Sequence, residues 1–424
     1  MSNKLNFDFL RWRDVIIVVI LLPMIAYSLI VVSKELPERR YIYKISQAVN
    51  DGSITTSNYY KIPQGFTDNW SNCSSLIEGT KGYPRNVFAT AAEGVYLGEC
   101  PRLVTLMKAG WTDEGITTSS FDQYWHGYQV IEKPLVTIFG YMFACIILLI
   151  AYLWLLIRFV KRSIRQFIPR LYFLITIILT TDFLLLYTSI PQAIWQITAL
   201  AIPLTLGEIL INHPHSKKIN ALMNIAAGFL SWYFDFGFAL GVSLIIWIFY
   251  IANTPAVKNH NDIIVINYRG LAMNALTWLS GVAYAMFSHT LIVGLFRGFH
   301  YAFSHIFSRF SDDTALNQKS TLFSGIGDTL KFYMHTEFFF LSICLILTMT
   351  IFTRQKMKKR VSNTVKLRIA SGMTFLVILY LVATSAVSSY HSWLAQRIWG
   401  WLLALTLAVW SSDRSLKEFN FLRR

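Results

Sequence analysis

Three short runs combine acidic, aromatic and imidazole side chains in ways that suit chemistry on a sugar or a phosphate. In Gly65-Phe66-Thr67-Asp68-Asn69-Trp70 a carboxylate stands between a hydroxyl and an amide, beside aromatics. A carboxylate so placed can accept a proton from an incoming hydroxyl. The same residue types also make an Asx turn or a helix cap, and composition leaves both readings open. The second run is Gln123-Tyr124-Trp125-His126-Gly127-Tyr128. Tyr and Trp are ordinary at a bilayer interface, but the embedded His-Gly is less so; His126 can bind a phosphate or pack structurally. In the third run, Ser231 to Gly237, Asp235 falls where an apolar stretch is interrupted. Such a break is tolerated only where it lines protein or water, so Asp235 either orients a substrate or caps the next helix. Arg39, Arg40, Arg297 and His300 complete the set. Arg grips phosphate through a bidentate fork, and the same positions also suit anchoring to lipid headgroups.

The elements that must position these groups are apolar. The chain has 424 residues, 54% hydrophobic and 14% charged, whereas soluble domains carry about 25% charged residues. Apolar runs of about 20 residues recur, each long enough to cross a hydrocarbon core. Backbone groups in lipid must pair internally, so these runs are helices. The pattern predicts an all-α integral membrane protein with ten spans: 13–33, 134–158, 171–189, 192–211, 219–232, 236–252, 270–296, 334–353, 369–390 and 392–411. The fifth and sixth are alternatively one helix broken near Asp235. Five parts follow. Residues 1–33 are a tail and first span, retained as a signal anchor because Val31-Val32-Ser33-Lys34 offers no small-x-small cleavage site. A large loop covers 34–133, spans two to seven cover 134–296, an amphipathic loop covers 297–333, and the last three spans and tail cover 334–424.

Charge orients this series. The net charge is +15, yet the excess is local. Arg158 to Arg170 and Arg354 to Arg368 are basic with no acid, while loop 34–133 is nearly balanced. Basic short links mark the cytoplasmic side. Ten crossings put both termini and both basic links there, and the large loop outside. The charge therefore reads as orientation and anionic-lipid contact rather than nucleic-acid binding.

Ionisable groups within apolar helices are costly and default to functional candidates: Asp182, Glu208, His289 and Glu337. Asp182 and His289 also read as groups satisfied inside the bundle, Glu208 as one snorkelling to the inner surface, and Glu337, close to the outer surface, as one facing an external cavity. Cys145 and Cys344 read as packing residues. Cys73 and Cys100 share the large loop and can form a disulfide in an oxidising compartment, although two cysteines do not fix a pairing. No His/Cys set has metal-ligand spacing. The absence of a Walker loop, dinucleotide fingerprint or nucleophile elbow speaks against ATP-driven transport by this chain alone.

The runs Gly65–Trp70, Tyr124–Tyr128 and Ser231–Phe236 together resemble motifs of a group of bacterial multi-pass membrane proteins that read D-N-F-T-D, R-Y-W-H-G-Y and S-F-F-D-F at matching places. The likeness covers roughly residues 10 to 300, with Gln123 standing where those relatives carry Arg. The layout is similar to glycosyltransferases of the GT-C class. That resemblance implies a sugar donor linked to polyprenyl phosphate, an outward-facing glycan or lipid-linked acceptor, and a bacterial inner-membrane location. It makes Asp68 the candidate catalytic carboxylate. GT-C acids usually lie nearer the end of the first helix, where Glu35 and Glu38 stand here, so the choice among the three stays open. His126, Asp235 and the arginines with His300 become substrate-binding candidates. No cofactor is implied beyond an optional divalent cation. A lipid-linked glycan flippase and a non-catalytic assembly subunit are the competing expectations.

Overall fold

The computed structural model describes residues 11–57, 59–62, 65–80, 86–95, 100–110, 122, 125–164, 189–213, 216–235, 240–253, 263–266, 268–304, 323–334, 370–378, 397–411 and 415–418, with a few single positions between 170 and 177 and at 381. The chain is helical. Helix α1 (Trp12–Glu35) leads through α2 (Glu38–Asn50) to the strands β1 (Tyr59–Ile62) and β2 (Gly65–Asp68). Three short helices follow: α3 (Asn69–Glu78), α4 (Val87–Glu93) and α5 (Cys100–Lys108). The bundle continues with α6 (Gln129–Phe139), α7 (Tyr141–Ser163), α8 (Ile190–Ile202), a π turn over Pro203–Gly207, α9 (Glu208–Asn212), α10 (Lys217–Phe234) and α11 (Leu240–Asn253). After β3 (Ile263–Ile266) come α12 (Tyr268–Arg297), α13 (Ser324–Met334), α14 (Arg397–Ser411) and β4 (Ser415–Glu418).

Among the described residues four helices are long and apolar enough to cross a membrane: Trp12–Glu35, Tyr141–Ser163, Ile190–Asn212 and Gly270–Arg297. Leu240–Ala252 and Ile398–Val409 are shorter apolar helices. Helix α1 turns Ile16, Ile20, Met24 and Val32 outward, exposed, while Ala26 and Ile30 pack inside, as an apolar solvent requires of its outer face. Expected spans at 334–353 and most of 171–189 and 369–390 lie outside the described residues, as do Asp182, Glu337 and Cys344.

The structure corrects one expected boundary and decides one that was open. The second span does not begin at Pro134. Pro134 lies inside α6, and the chain breaks at Gly140, whose φ of 84° is left-handed and is reached at little cost only by glycine. The helix long and apolar enough to cross is therefore 141–163. Helices α10 and α11 are separate, because α10 ends at Phe234 and Asp235 leaves the helical region with ψ 136°. The all-α expectation fits, with two small strand pairs beside the helices: β1 with β2, antiparallel, and β3 with β4, parallel.

Helices α10 and α12 form a close pair. A Cβ on Gly228 would strike the Trp278 carbonyl oxygen, and one on Gly281 that of Ile225, so small residues let the two backbones approach. The seam also holds amides: Asn224 Nδ2 donates to Asn274 Oδ1 at 3.2 Å, and Trp247 Nε1 donates to Asn224 Oδ1 at 2.9 Å.

Polar contacts sort the helix ends into two sets. At one end, Arg162 of α7 grips Glu208 through Nε at 2.6 Å and Nη2 at 2.7 Å, and the Tyr250 hydroxyl of α11 donates to the same carboxylate. The Glu208 carboxylate, partly exposed, is held by a bidentate arginine. At the other end, the region between α1 and α6 packs on Tyr141, Ile190, Tyr233, His289 and Arg297.

Candidate functional site

The candidate residues meet where that inserted region joins the bundle. Asp68 is the last residue of β2, paired in register with Tyr59, and α3 starts at the next residue. Its side chain lies outside the described residues. Asn69 is buried, and its Nδ2 donates to Ser57 O at 2.5 Å and Thr55 O at 3.3 Å, fastening the hairpin to the start of α3. Cys73 and Cys100 form a disulfide with Cα atoms 5.2 Å apart, tying α3 to α5. Cys73→Ser is expected to lower unfolding stability by about 2–5 kcal/mol, because a cross-link limits the unfolded chain. Thermal unfolding of the variant, beside wild type with and without reductant, checks this; an unchanged midpoint contradicts it.

The far end of α3 carries Glu78, fully buried. His126 Nδ1 lies 2.7 Å from its Oε2, and the Tyr128 hydroxyl donates to the same oxygen. Around them Lys34, Glu132 and Lys133 are each no more than 1% exposed. Lys34 Nζ donates to Thr80 O at 3.1 Å, and Lys133 Nζ donates to Lys34 O at 2.9 Å while lying 5.7 Å from the centre of the Tyr41 ring. Gln129 Nε2 donates to Ser75 O, and Ser33 Oγ donates to Gln129 O at 2.8 Å. Buried charges are stable only when paired and hydrogen-bonded. This nest ties the end of α1, α3, the turn at 125–128 and α6 together. Burial pushes the Tyr41 hydroxyl up; burial and then Glu78 do the same to Tyr128. Both hydroxyls therefore act as neutral donors.

The turn itself is constrained. His126 has φ 51°, the one left-handed non-glycine position among the described residues. Gly127 N donates to Tyr233 O at 3.0 Å, and a Cβ there would strike that oxygen and the Tyr233 ring. Trp125, fully buried, is the hub. Its Nε1 donates to Ala285 O at 2.7 Å, and its ring centre lies 5.1 Å from that of His289, 5.7 Å from Tyr233 and 5.9 Å from Phe229. Tyr233 in turn donates to Ala26 O at 2.9 Å. The three sequence runs are thus physically continuous: Gly65–Trp70 opens α3, α3 ends on His126, and Trp125 and Gly127 dock on the Ser231–Asp235 run.

One further step along the joint, His289 Nε2 contacts Ala92 O at 3.0 Å. The next residue, Glu93, accepts from Arg297 Nε at 2.8 Å. The Arg297 guanidinium lies 6.0 Å from the Tyr301 ring centre and its side chain is 37% exposed. Gly298 (φ 89°) then breaks the helix, and His300 is exposed on residues 299–304.

The six candidates whose side chains are described therefore separate by environment. His126 and Asp235 are buried at 1% and 2% exposure beside the Gly127–Tyr233 contact; in this arrangement His126 serves the joint through Glu78, and Asp235 ends α10. Arg297 and His300 are exposed together at the end of α12. Arg39 and Arg40 are also exposed, but on α2, which packs on α5, α6 and α7, whereas the end of α12 packs beside α4. Among the described residues no group of three or more His, Cys, Asp or Glu could hold a metal ion. Sequence reasoning did not select Lys34, Glu78, Glu93, Glu132 or Lys133. Only Glu132-Lys133, two ionisable neighbours directly before Pro134, offered a signal.

Fold and site define a helical protein with membrane-length helices and a disulfide-closed insertion docked on one set of helix ends. No protein-family model matches the chain, and no curated protein or solved structure is significantly similar to it.

Proposed function

We propose that this chain is a GT-C-like glycosyltransferase of a bacterial inner membrane. It moves a sugar from a polyprenyl-phosphate donor to an outward-facing glycan or lipid-linked acceptor. The observation that carries this reading is the half-exposed Arg297, its Nε held by Glu93, on the helix ends where the folded insertion docks. The Nη edge of that guanidinium has no partner among the described residues, and a phosphate fits it.

In this reading the Asp68 carboxylate takes the acceptor's hydroxyl proton. The acceptor oxygen bonds to the anomeric carbon, whose bond to the phosphate oxygen breaks, and the lipid phosphate leaves with the electron pair. Arg297 and His300 neutralise that charge, the kind of stabilisation that is often the largest catalytic term. Arg39 and Arg40, on a different set of elements, are the second choice.

The ten-span layout belongs to the same proposal, with both termini cytoplasmic and the insertion outside. Three findings favour it. The disulfide suits an oxidising compartment. Arg162, Glu208 and Tyr250, from three helix ends assigned to the inner side, meet each other. Strands β3 and β4 pair, so their segments share one side, as four crossings between them require. The flippase alternative needs a polar path, yet Glu208 is bound by Arg162 and Tyr250, and His289 by Ala92.

The test is the glycan and lipid-linked donor profile of cells with and without the gene. Loss of one sugar, with its polyprenyl-linked donor accumulating, is expected. An unchanged profile overturns the proposal.

A further inference from the structure

Glu132 sits in the joint with an unusual set of contacts. Its Oε1 lies 3.1 Å from Ser75 Oγ, and its Oε2, buried, has no hydrogen-bond partner among the described residues. Ser75 Oγ is also 2.9 Å from Asn72 O. A hydroxyl has one hydrogen, and a carbonyl oxygen only accepts. Ser75 therefore shares its one hydrogen between Asn72 O and Glu132 Oε1, so an ionised Glu132 has, among the described residues, no more than this one shared neutral donor. The nearby ammonium groups of Lys34 and Lys133 hydrogen-bond to the carbonyl oxygens of Thr80 and Lys34. The imidazole and phenol of the turn go to Glu78. A buried ionised carboxylate with a single neutral donor is costly, and taking up a proton relieves that cost.

We infer that Glu132 is the proton-binding group of the joint between insertion and bundle, neutral when the two are docked, and that its deprotonation loosens the joint. Other charged or titratable groups face it from each neighbouring element. These are Lys34 from α1, Tyr41 from α2 and Glu78 from α3, with Glu38 of α2 acting on Lys34 and Tyr41. Tyr128 faces it from the turn and Cys145 from α7, while His126 faces Glu78 and Lys133, the next residue on its own helix, faces the Lys34 carbonyl. Burial pushes the Glu132 carboxyl well above the usual range; the Ser75 hydrogen bond opposes this, the Glu78 charge adds to it, and the Lys34 charge opposes it. A folded-state value above the unfolded one gives stability that is complete below the ordinary carboxyl range. That stability is lost as pH rises through the raised value.

The inference is independent of the proposed activity. Its test is thermal unfolding of the full chain in lipid nanodiscs from about pH 4 to about pH 9, wild type beside Glu132→Gln, with infrared detection of the protonated carboxyl band. Glutamine keeps the shape and stays neutral. The expected result is matching midpoints in acid, a variant midpoint about 2 °C or more above wild type in alkali, and a carboxyl band in wild type that the variant lacks. A variant less stable than wild type at every pH shows an ionised counter-ion and overturns the inference. So do parallel pH profiles, or the absence of a Glu132 band.

Discussion

Asp68→Asn is expected to lower sugar transfer by about 10²-fold or more, because a positioned general base contributes 10²–10⁴ in rate, while abundance and folding stay at wild-type levels. Asparagine is the discriminating replacement. Asp68 stands directly before α3, where a helix-capping side chain would serve, and Asn and Asp cap about equally well. A purely structural Asp68 therefore tolerates the change. A catalytic one does not, since an amide cannot take the acceptor's proton at neutral pH. Transfer is read in membranes supplied with a polyprenyl-linked donor. Glu35→Gln and Glu38→Gln serve as parallel variants, since those acids lie nearer the end of α1. Full activity of the Asn variant removes Asp68 from the mechanism, and loss confined to Glu35→Gln or Glu38→Gln transfers the role.

Trp125→Ala is expected to cost about 3–5 kcal/mol, the range for deleting a buried large aromatic. The indole fills the space between Phe229, Tyr233 and His289, and its N–H meets a carbonyl of α12. Alanine opens a cavity at the point where the turn docks on the bundle and leaves the Ala285 carbonyl without that donor. Trp125→Phe keeps most of the volume and loses the hydrogen bond, so about 1 kcal/mol is its expected cost. Thermal unfolding of both variants gives the ratio. Equal, small effects would show that Trp125 is a lipid-facing belt residue and contradict the hub.

Helix existence was legible because each span must be apolar throughout. Helices α1, α8 with α9, and α12 fall within a few residues of their expected bounds. The break at Gly140 was less so, since an apolar run reads as continuous until a backbone angle interrupts it. Trp125 shows a second limit. An aromatic beside a span reads as an interface anchor, and only tertiary packing tells a lipid-facing ring from a buried one. Lys34 and Lys133 show a third: a lysine flanking an expected span is expected to reach for water, and nothing local in the sequence announces that both are buried against carbonyl oxygens. Of the candidate site, the three runs were legible as runs, and their contact was not. The partner of His126, Glu78, is far away in sequence and sits in no motif.

Sidedness is the point on which the rest depends, and cysteine labelling in intact cells addresses it most directly. Lys108→Cys, exposed on α5, and Lys161→Cys, exposed at the end of α7, are each treated with a membrane-impermeant maleimide. The expected result is labelling at position 108 in intact cells and at position 161 only after the membrane is permeabilised. Labelling of 161 but not 108 in intact cells would place the insertion and its arginine on the cytoplasmic face and contradict the account.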